Sequence, residues 1–243
     1  MNDEGKKTRY PLPFARDQAH SLLRTLAPYC ERIEIAGSIR RQAPTAGDIE
    51  LVAIPRWEDG QPQRDMFGDR GPAPRVNALL AYLRSAGITT RDDDARYIRI
   101  GAHPIDEPIT SLRLELDEPP AKLGMRIPVV TSISALSEPG NDALIGEQVD
   151  SIPVDLFLAT PRNWGNILMI RTGSASFARA MLARWKAVSA GGFSRDGMLH
   201  RFVSPINTPE ETDVFRLCEV PFVEPPYRVD ELALVDALRR SAR

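Results

Sequence analysis

Two carboxylates stand two residues apart in "GDIELVAIP", Asp48 and Glu50, and a third, Asp155, interrupts the apolar run "SIPVDLFLA". In an extended strand, residues two apart share a face. Asp48 and Glu50 therefore project side by side, while Ile49 and Leu51 turn the other way into a core. Like charges that close repel, and one must take up a proton unless a cation lies between them. Oxygen ligands of this kind suit Mg²⁺. With a third acid they could share two ions, an arrangement that serves in-line displacement at phosphorus. A solvated sheet edge would carry the same residues, and the acids alone do not separate these readings.

A second feature lies just upstream, in "IEIAGSIRR". A strand through Ile33–Ile35 is broken by Gly37-Ser38, and Arg40 and Arg41 follow on a short helix. A glycine at such a turn lets an anion approach the backbone N–H groups, and Ser38 adds a hydroxyl. At least one of the two arginines can reach the same anion, and a guanidinium matches phosphate oxygens with two parallel hydrogen bonds. An ordinary turn with two solvated arginines is the plain alternative. The rarer fact is the conjunction of this turn with paired strand acids and a third strand acid.

The elements that must position these groups follow from hydrophobic spacing. Leu22, Leu23 and Leu26 predict a helix over Phe14–Tyr29, ahead of the first strand. A strand over Asp48–Ile54 is ended by Pro55. The Gly- and Pro-rich stretch from Arg56 to Pro74 reads as one long surface loop. Val76, Leu79, Leu80 and Leu83 predict a second helix capped at Gly87. Four extended runs come next, "RYIRI", "LRLEL", "RIPVVTSIS" and "SIPVDLFLA". Beyond Pro161 the pattern turns helical. One helix carries Trp164, Ile167 and Leu168, and another, N-capped by Ser174, carries Phe177, Met181 and Trp185. "GGFSRDGMLHRFV" predicts a hairpin turning at Arg195-Asp196-Gly197. The segment "RVDELALVDALRR" ends the chain as a helix, with acids at its start and arginines at its finish.

The 243-residue composition is that of an ordinary soluble globular protein, with a formal net charge of −2. That balance excludes a surface coated in positive charge for tight nonspecific binding to nucleic acid. A local groove rich in arginine is not excluded. No apolar run approaches a membrane span and the first residues lack a signal-peptide core, so the expected location is cytoplasmic, with no membrane partner. Cys30 and Cys218 are too few and too far apart for a disulfide framework. The histidines at 20, 103 and 200 have no paired spacing for zinc. Trp57, Trp164 and Trp185 read as packing residues rather than base-stacking ones.

In the order "GSIRR", "GDIE", "VDLF", "RTGS", the motifs resemble those of the polymerase-β-like nucleotidyltransferase superfamily, most closely the palm and thumb of family X DNA polymerases. The resemblance covers roughly residues 31–55 and 151–230. It implies an α+β fold: a nucleotidyltransferase palm, with a mixed β-sheet flanked by helices, then a small helix-rich thumb subdomain with a hairpin. Residues 1–30 would form an N-terminal helix, 31–160 the palm with a strand-rich insertion at about 104–150, and 161–243 the thumb. It implies that Asp48, Glu50 and Asp155 are catalytic and bind two Mg²⁺ ions, with Mn²⁺ as a substitute. It implies that Gly37, Ser38 and Arg41 bind the nucleoside triphosphate and that Thr172-Gly173 cradles its sugar. The residues themselves add Arg40 to the nucleotide-binding set, and Arg171 and Arg179, which flank the Thr-Gly motif, as contacts to primer or sugar or as solvated side chains. The reaction implied is transfer of a nucleoside monophosphate to the 3′-hydroxyl of DNA or RNA with release of pyrophosphate.

This sequence departs from the family pattern in several places. Glu50 stands where the polymerases carry Asp. Ile170-Arg171 replaces the Tyr-Phe pair before Thr-Gly, and Ala175, Ala178 and Leu182 replace polar residues on the next helix. The family's N-terminal helix-hairpin-helix and lyase modules have no counterpart in the thirty residues before the first strand. A chain so lightly charged would need a protein partner to stay on a nucleic acid. Two further readings remain: transfer to a small-molecule, tRNA or protein acceptor, and nucleotide or nucleic-acid binding without turnover.

Overall fold

A computed structural model describes residues 8–60, 73–86, 97–100, 124–128 and 151–241. The expected extended run "LRLEL", the Gly87 cap and most of the insertion lie outside these residues.

The chain opens with a two-residue strand β1 (Tyr10–Pro11) and helix α1 (Leu12–Leu26), which a 3₁₀ turn extends to Tyr29. Strand β2 (Cys30–Ile35) leads into the four-residue helix α2 (Gly37–Arg40). Strand β3 (Thr45–Ala46) pairs with β1, and Arg9 Nε donates to Thr45 Oγ1 at 2.9 Å. That ribbon ties down the loop that carries Asp48. Strand β4 spans Ile49–Pro55, so Asp48 sits in a bend one residue before it rather than inside it as the spacing predicts. Between β3 and β4 the chain bends at residues 47 and 48, so Asp48 falls in the connection rather than in the strand.

The expected long loop is shorter than its composition suggests. Its start forms strand β5 (Trp57–Asp59), which pairs with β6 (Arg75–Asn77) just beyond its end, and Val76 belongs to this ribbon rather than to the helix. Helix α3 (Ala78–Ser85) then starts on Asn77, whose Oδ1 accepts from Leu80 N at 3.0 Å. Strands β7 (Tyr97–Ile100), β8 (Gly124–Pro128) and β9 (Ser151–Leu158) complete a five-stranded mixed sheet. Its order is β2-β4-β9-β7, with β8 also pairing with β9, and only the β4–β9 pair is parallel.

Period-two alternation sorts β4 and β9 onto two faces. Ile49, Leu51 and Ala53, with Ile152, Val154 and Leu156, pack against Leu22 and Leu26 of α1 and Leu79, Leu80 and Leu83 of α3. The opposite face presents Val52, Ile54, Phe157 and Ala159 to helix α4 (Trp164–Thr172), whose Trp164 and Leu168 lie against them. Met169 of α4 belongs to a second core, built by the helices that follow. Six of the nine α4 residues are buried, as expected of a helix that is apolar nearly all round.

Helix α5 (Ala175–Val188) is N-capped by Ser174, whose Oγ accepts from Phe177 N at 3.1 Å. Strands β10 (Phe193–Arg195) and β11 (Met198–Arg201) form the expected hairpin, with positive φ at Asp196 and Gly197 in its turn, and β12 (Ser204–Ile206) adds a third strand. Helix α6 (Glu211–Leu217) begins with a capping box between Glu210 and Asp213, and α7 (Leu232–Ser241) packs Leu234 and Ala237 into the second core. Gly165 lets α4 press against the start of α6: a β-carbon there would stand 2.0 Å from the Glu210 carbonyl oxygen. The architecture is therefore mixed α+β, with several small sheets and helices.

Cys30 and Cys218 are both free and buried, and burial pushes each thiol up to about 12. Trp164 and Trp185 are fully buried, in line with a packing role, whereas Trp57 is exposed. Among the described residues no helix is long and apolar enough to cross a membrane.

Candidate active site

Parallel pairing places Glu50 of β4 opposite Asp155 of β9, so the two carboxylates project from neighbouring strands on the face that α4 covers. The ladder from β2 runs up to this point, where Ala36 N donates to Glu50 O at 2.7 Å. The chain then turns sharply at Gly37, with φ 62°, and brings the turn back over the Glu50 side chain. A β-carbon on Gly37 would lie 1.9 Å from Glu50 Oε2, so no other residue fits without moving the carboxylate. Both the positive φ and the close approach demand glycine here.

Burial, then the charges of Asp48 and Asp155, push the Glu50 carboxyl up to about 7, against the opposing pull of Arg171 and Arg41. Glu50 thus feels both other acids, Asp155 through the parallel register and Asp48 from the bend just ahead of the strand. Among the described residues, however, no three acid, histidine or cysteine side chains converge closely enough to hold an ion as they stand. The donor set is all oxygen and strongly acidic, which fits a hard divalent cation.

Ser38 Oγ is buried with no hydrogen-bond partner, an uncommon state for a hydroxyl beside a tight turn. Arg41 donates from Nη1 to the carbonyls of Thr172, at 2.6 Å, and Gly173, at 3.0 Å. Burial draws its guanidinium below the usual arginine value, and Glu50 and Asp48 oppose that pull. Arg41 therefore stands between the Gly-Ser turn, the acids and the end of α4.

Arg40 is engaged elsewhere. Its two terminal nitrogens grip both oxygens of Glu211, at 3.0 and 2.9 Å, and Nη1 also donates to Thr172 Oγ1 at 2.6 Å. Arg228, fully buried, donates to the same Glu211 carboxylate. The Arg228 guanidinium lies within 6 Å of the rings of Phe177, Phe215 and Phe222. Burial alone would raise the Glu211 carboxyl, yet hydrogen bonds from Arg228 and Arg40 hold it below the ordinary value. Of the expected anion-binding pair, only Arg41 is thus placed toward the acids. Thr172 is likewise committed, its side chain to Arg40 and its carbonyl to Arg41, and Gly173 offers its carbonyl to the same guanidinium.

Arg171, in the last turn of α4, places its guanidinium carbon over the Phe157 ring, 3.8 Å from the centroid. Arg179 is exposed on α5. Glu211, Arg228 and Asn166 carry no sequence signal that the motifs exploit. No family model matches the chain, and a search of curated proteins finds no relative.

Proposed function

We propose that the chain is a metal-dependent nucleotidyltransferase of family X-like type, its five-stranded sheet acting as palm and α4 to α7 as thumb. It would transfer a nucleoside monophosphate from a nucleoside triphosphate to the 3′-hydroxyl of a DNA or RNA strand. The observation that carries this reading is the packing of the Gly37-Ser38 turn directly onto Glu50, itself in register with Asp155. An anion-binding turn and a pair of metal-type ligands share one spot, at the junction of β2, β4 and β9.

In this reading Ser38, the backbone of the turn and Arg41 bind the triphosphate and hold its α-phosphorus in line with the attacking oxygen. The unpartnered Ser38 hydroxyl and the charge of Arg41 beside the acids support that division of labour. Asp155 lies next to the acceptor and receives its hydroxyl proton on the way to solvent. A bond forms between the 3′-oxygen and the α-phosphorus, the bridge to the β-phosphate breaks, and pyrophosphate leaves. Mg²⁺ bound by Asp48, Glu50 and Asp155 would lower the pKa of the attacking hydroxyl and offset charge on the leaving group. Arg40 does not touch phosphate here; with Glu211 it fixes Thr172 and so the end of α4.

The test is extension of a labelled strand, single or annealed to a template, with each dNTP and NTP and either Mg²⁺ or Mn²⁺. Extension is expected in the native protein and a loss on the order of 10³-fold or more in Asp155→Asn. Extension without a template makes it a terminal transferase. Pyrophosphate release without strand extension moves the acceptor to a small molecule, tRNA or protein. No metal-dependent pyrophosphate release with any acceptor overturns the proposal.

A further inference from the structure

The acid cluster has a positive group of its own. Arg171 projects from the C-terminal turn of α4, where a cation is favoured by the helix dipole. Its guanidinium rests over the Phe157 ring, 3.8 Å from the centroid, a cation–π contact that holds it on this face of the sheet. Phe157 follows Asp155 by two residues on β9, so their side chains leave the same face about 7 Å apart. Glu50 is the strand neighbour of Asp155 on that face. Arg171 also stands near enough to Glu50 for its charge to act on that carboxylate.

We infer that Arg171 is a resident counterion of the Asp48–Glu50–Asp155 cluster that competes with divalent cations for the carboxylates and so sets how tightly the site loads metal. The inference rests on the nucleotidyltransferase reading, because it takes the three acids as metal ligands. A guanidinium so placed offsets part of the acids' mutual repulsion while no ion is bound. It also repels an incoming divalent ion at short range, in a partly buried setting where charges are weakly screened. Arg171 is thus a positioning residue: it acts on the ligands rather than on the reacting atoms.

The experiment is Mn²⁺ titration followed by electron paramagnetic resonance, with no nucleotide present. It compares native protein with Arg171→Ala, Arg171→Gln, Arg179→Ala and Asp155→Asn. The Gln variant keeps a planar amide over Phe157 without the charge, so it separates electrostatics from packing; thermal unfolding of each variant checks that the fold survives. Both Arg171 variants are expected to bind Mn²⁺ on the order of tenfold more tightly than native protein. Arg179→Ala should match native protein, and Asp155→Asn should bind more weakly. Unchanged affinity in both Arg171 variants, with Asp155→Asn still weakened, overturns the inference and leaves the proposed function standing. No Mn²⁺ binding in any form removes the metal reading of the acids and the inference with it.

Discussion

Burial and two neighbouring acids push the Glu50 carboxyl up to about 7, from an ordinary 4.5. A carboxyl whose folded value lies above its unfolded one stabilises the fold in its protonated form. That contribution is fully present below about pH 4.5 and is lost as pH rises through about 7. A shift of this size corresponds to about 3 kcal/mol. Metal-free protein should therefore unfold at lower urea concentration at pH 8 than at pH 5, and Glu50→Gln should flatten the difference. An equally steep fall in the variant would place the cause in some other group. Gly37 makes a separate claim on the same side chain. Gly37→Ala combines a strained φ with a β-carbon in the path of Glu50 Oε2, and should cost roughly 1–3 kcal/mol in urea unfolding. It should also reduce activity, because the Glu50 carboxylate has to move.

At the scale of elements, α4 positions most of what matters. Its first turn holds the hairpin: Asn166, fully buried, donates from Nδ2 to Gly197 O at 2.8 Å and to Ser194 Oγ at 3.3 Å. Asn166→Ala should raise amide exchange across β10 and β11 while leaving β4 and β9 protected, a contrast that hydrogen exchange resolves residue by residue. The apolar spacing of Trp164, Ile167 and Leu168 made this helix legible in the sequence. It did not show that Met169 would serve a second core, because periodicity reports which residues avoid water and not what they meet. The strand acids were legible for a similar reason, since Asp155 breaks an apolar run and Glu50 alternates with Ile49 and Leu51. The partner of Arg40 was not. Glu211 lies 171 residues away, and only tertiary packing brings them together. The β5–β6 ribbon also escaped notice, because its pairing spans a stretch whose glycines and prolines signal only a loop.

Across the whole molecule, Glu211 is a buried point where the sheet-bearing part and the helical part are tied by charge, beside the more exposed Arg32–Glu210 pair. It receives Arg40 from beside the Gly-Ser turn and Arg228 from the aromatic enclosure of the second core. Breaking a buried pair by removing one member leaves the other charge stranded. Glu211→Ala should therefore lose on the order of 3–5 kcal/mol in chemical denaturation, for Arg228 has no route to water. Loss near zero would mean that the cation is accommodated by its three rings alone. The helix α4 has a consequence of another kind. Because one side of it completes the sheet's second face and the other enters the helical core, neither portion can be kept in solution without it. Cut before α4, residues 8–160 would bare Val52, Ile54, Phe157 and Ala159, and the remainder would bare Trp164 and Leu168. Expressed separately the two pieces should aggregate, whereas expressed together they should co-purify as a reconstituted protein, which would make this junction a natural place to split the chain into complementing fragments.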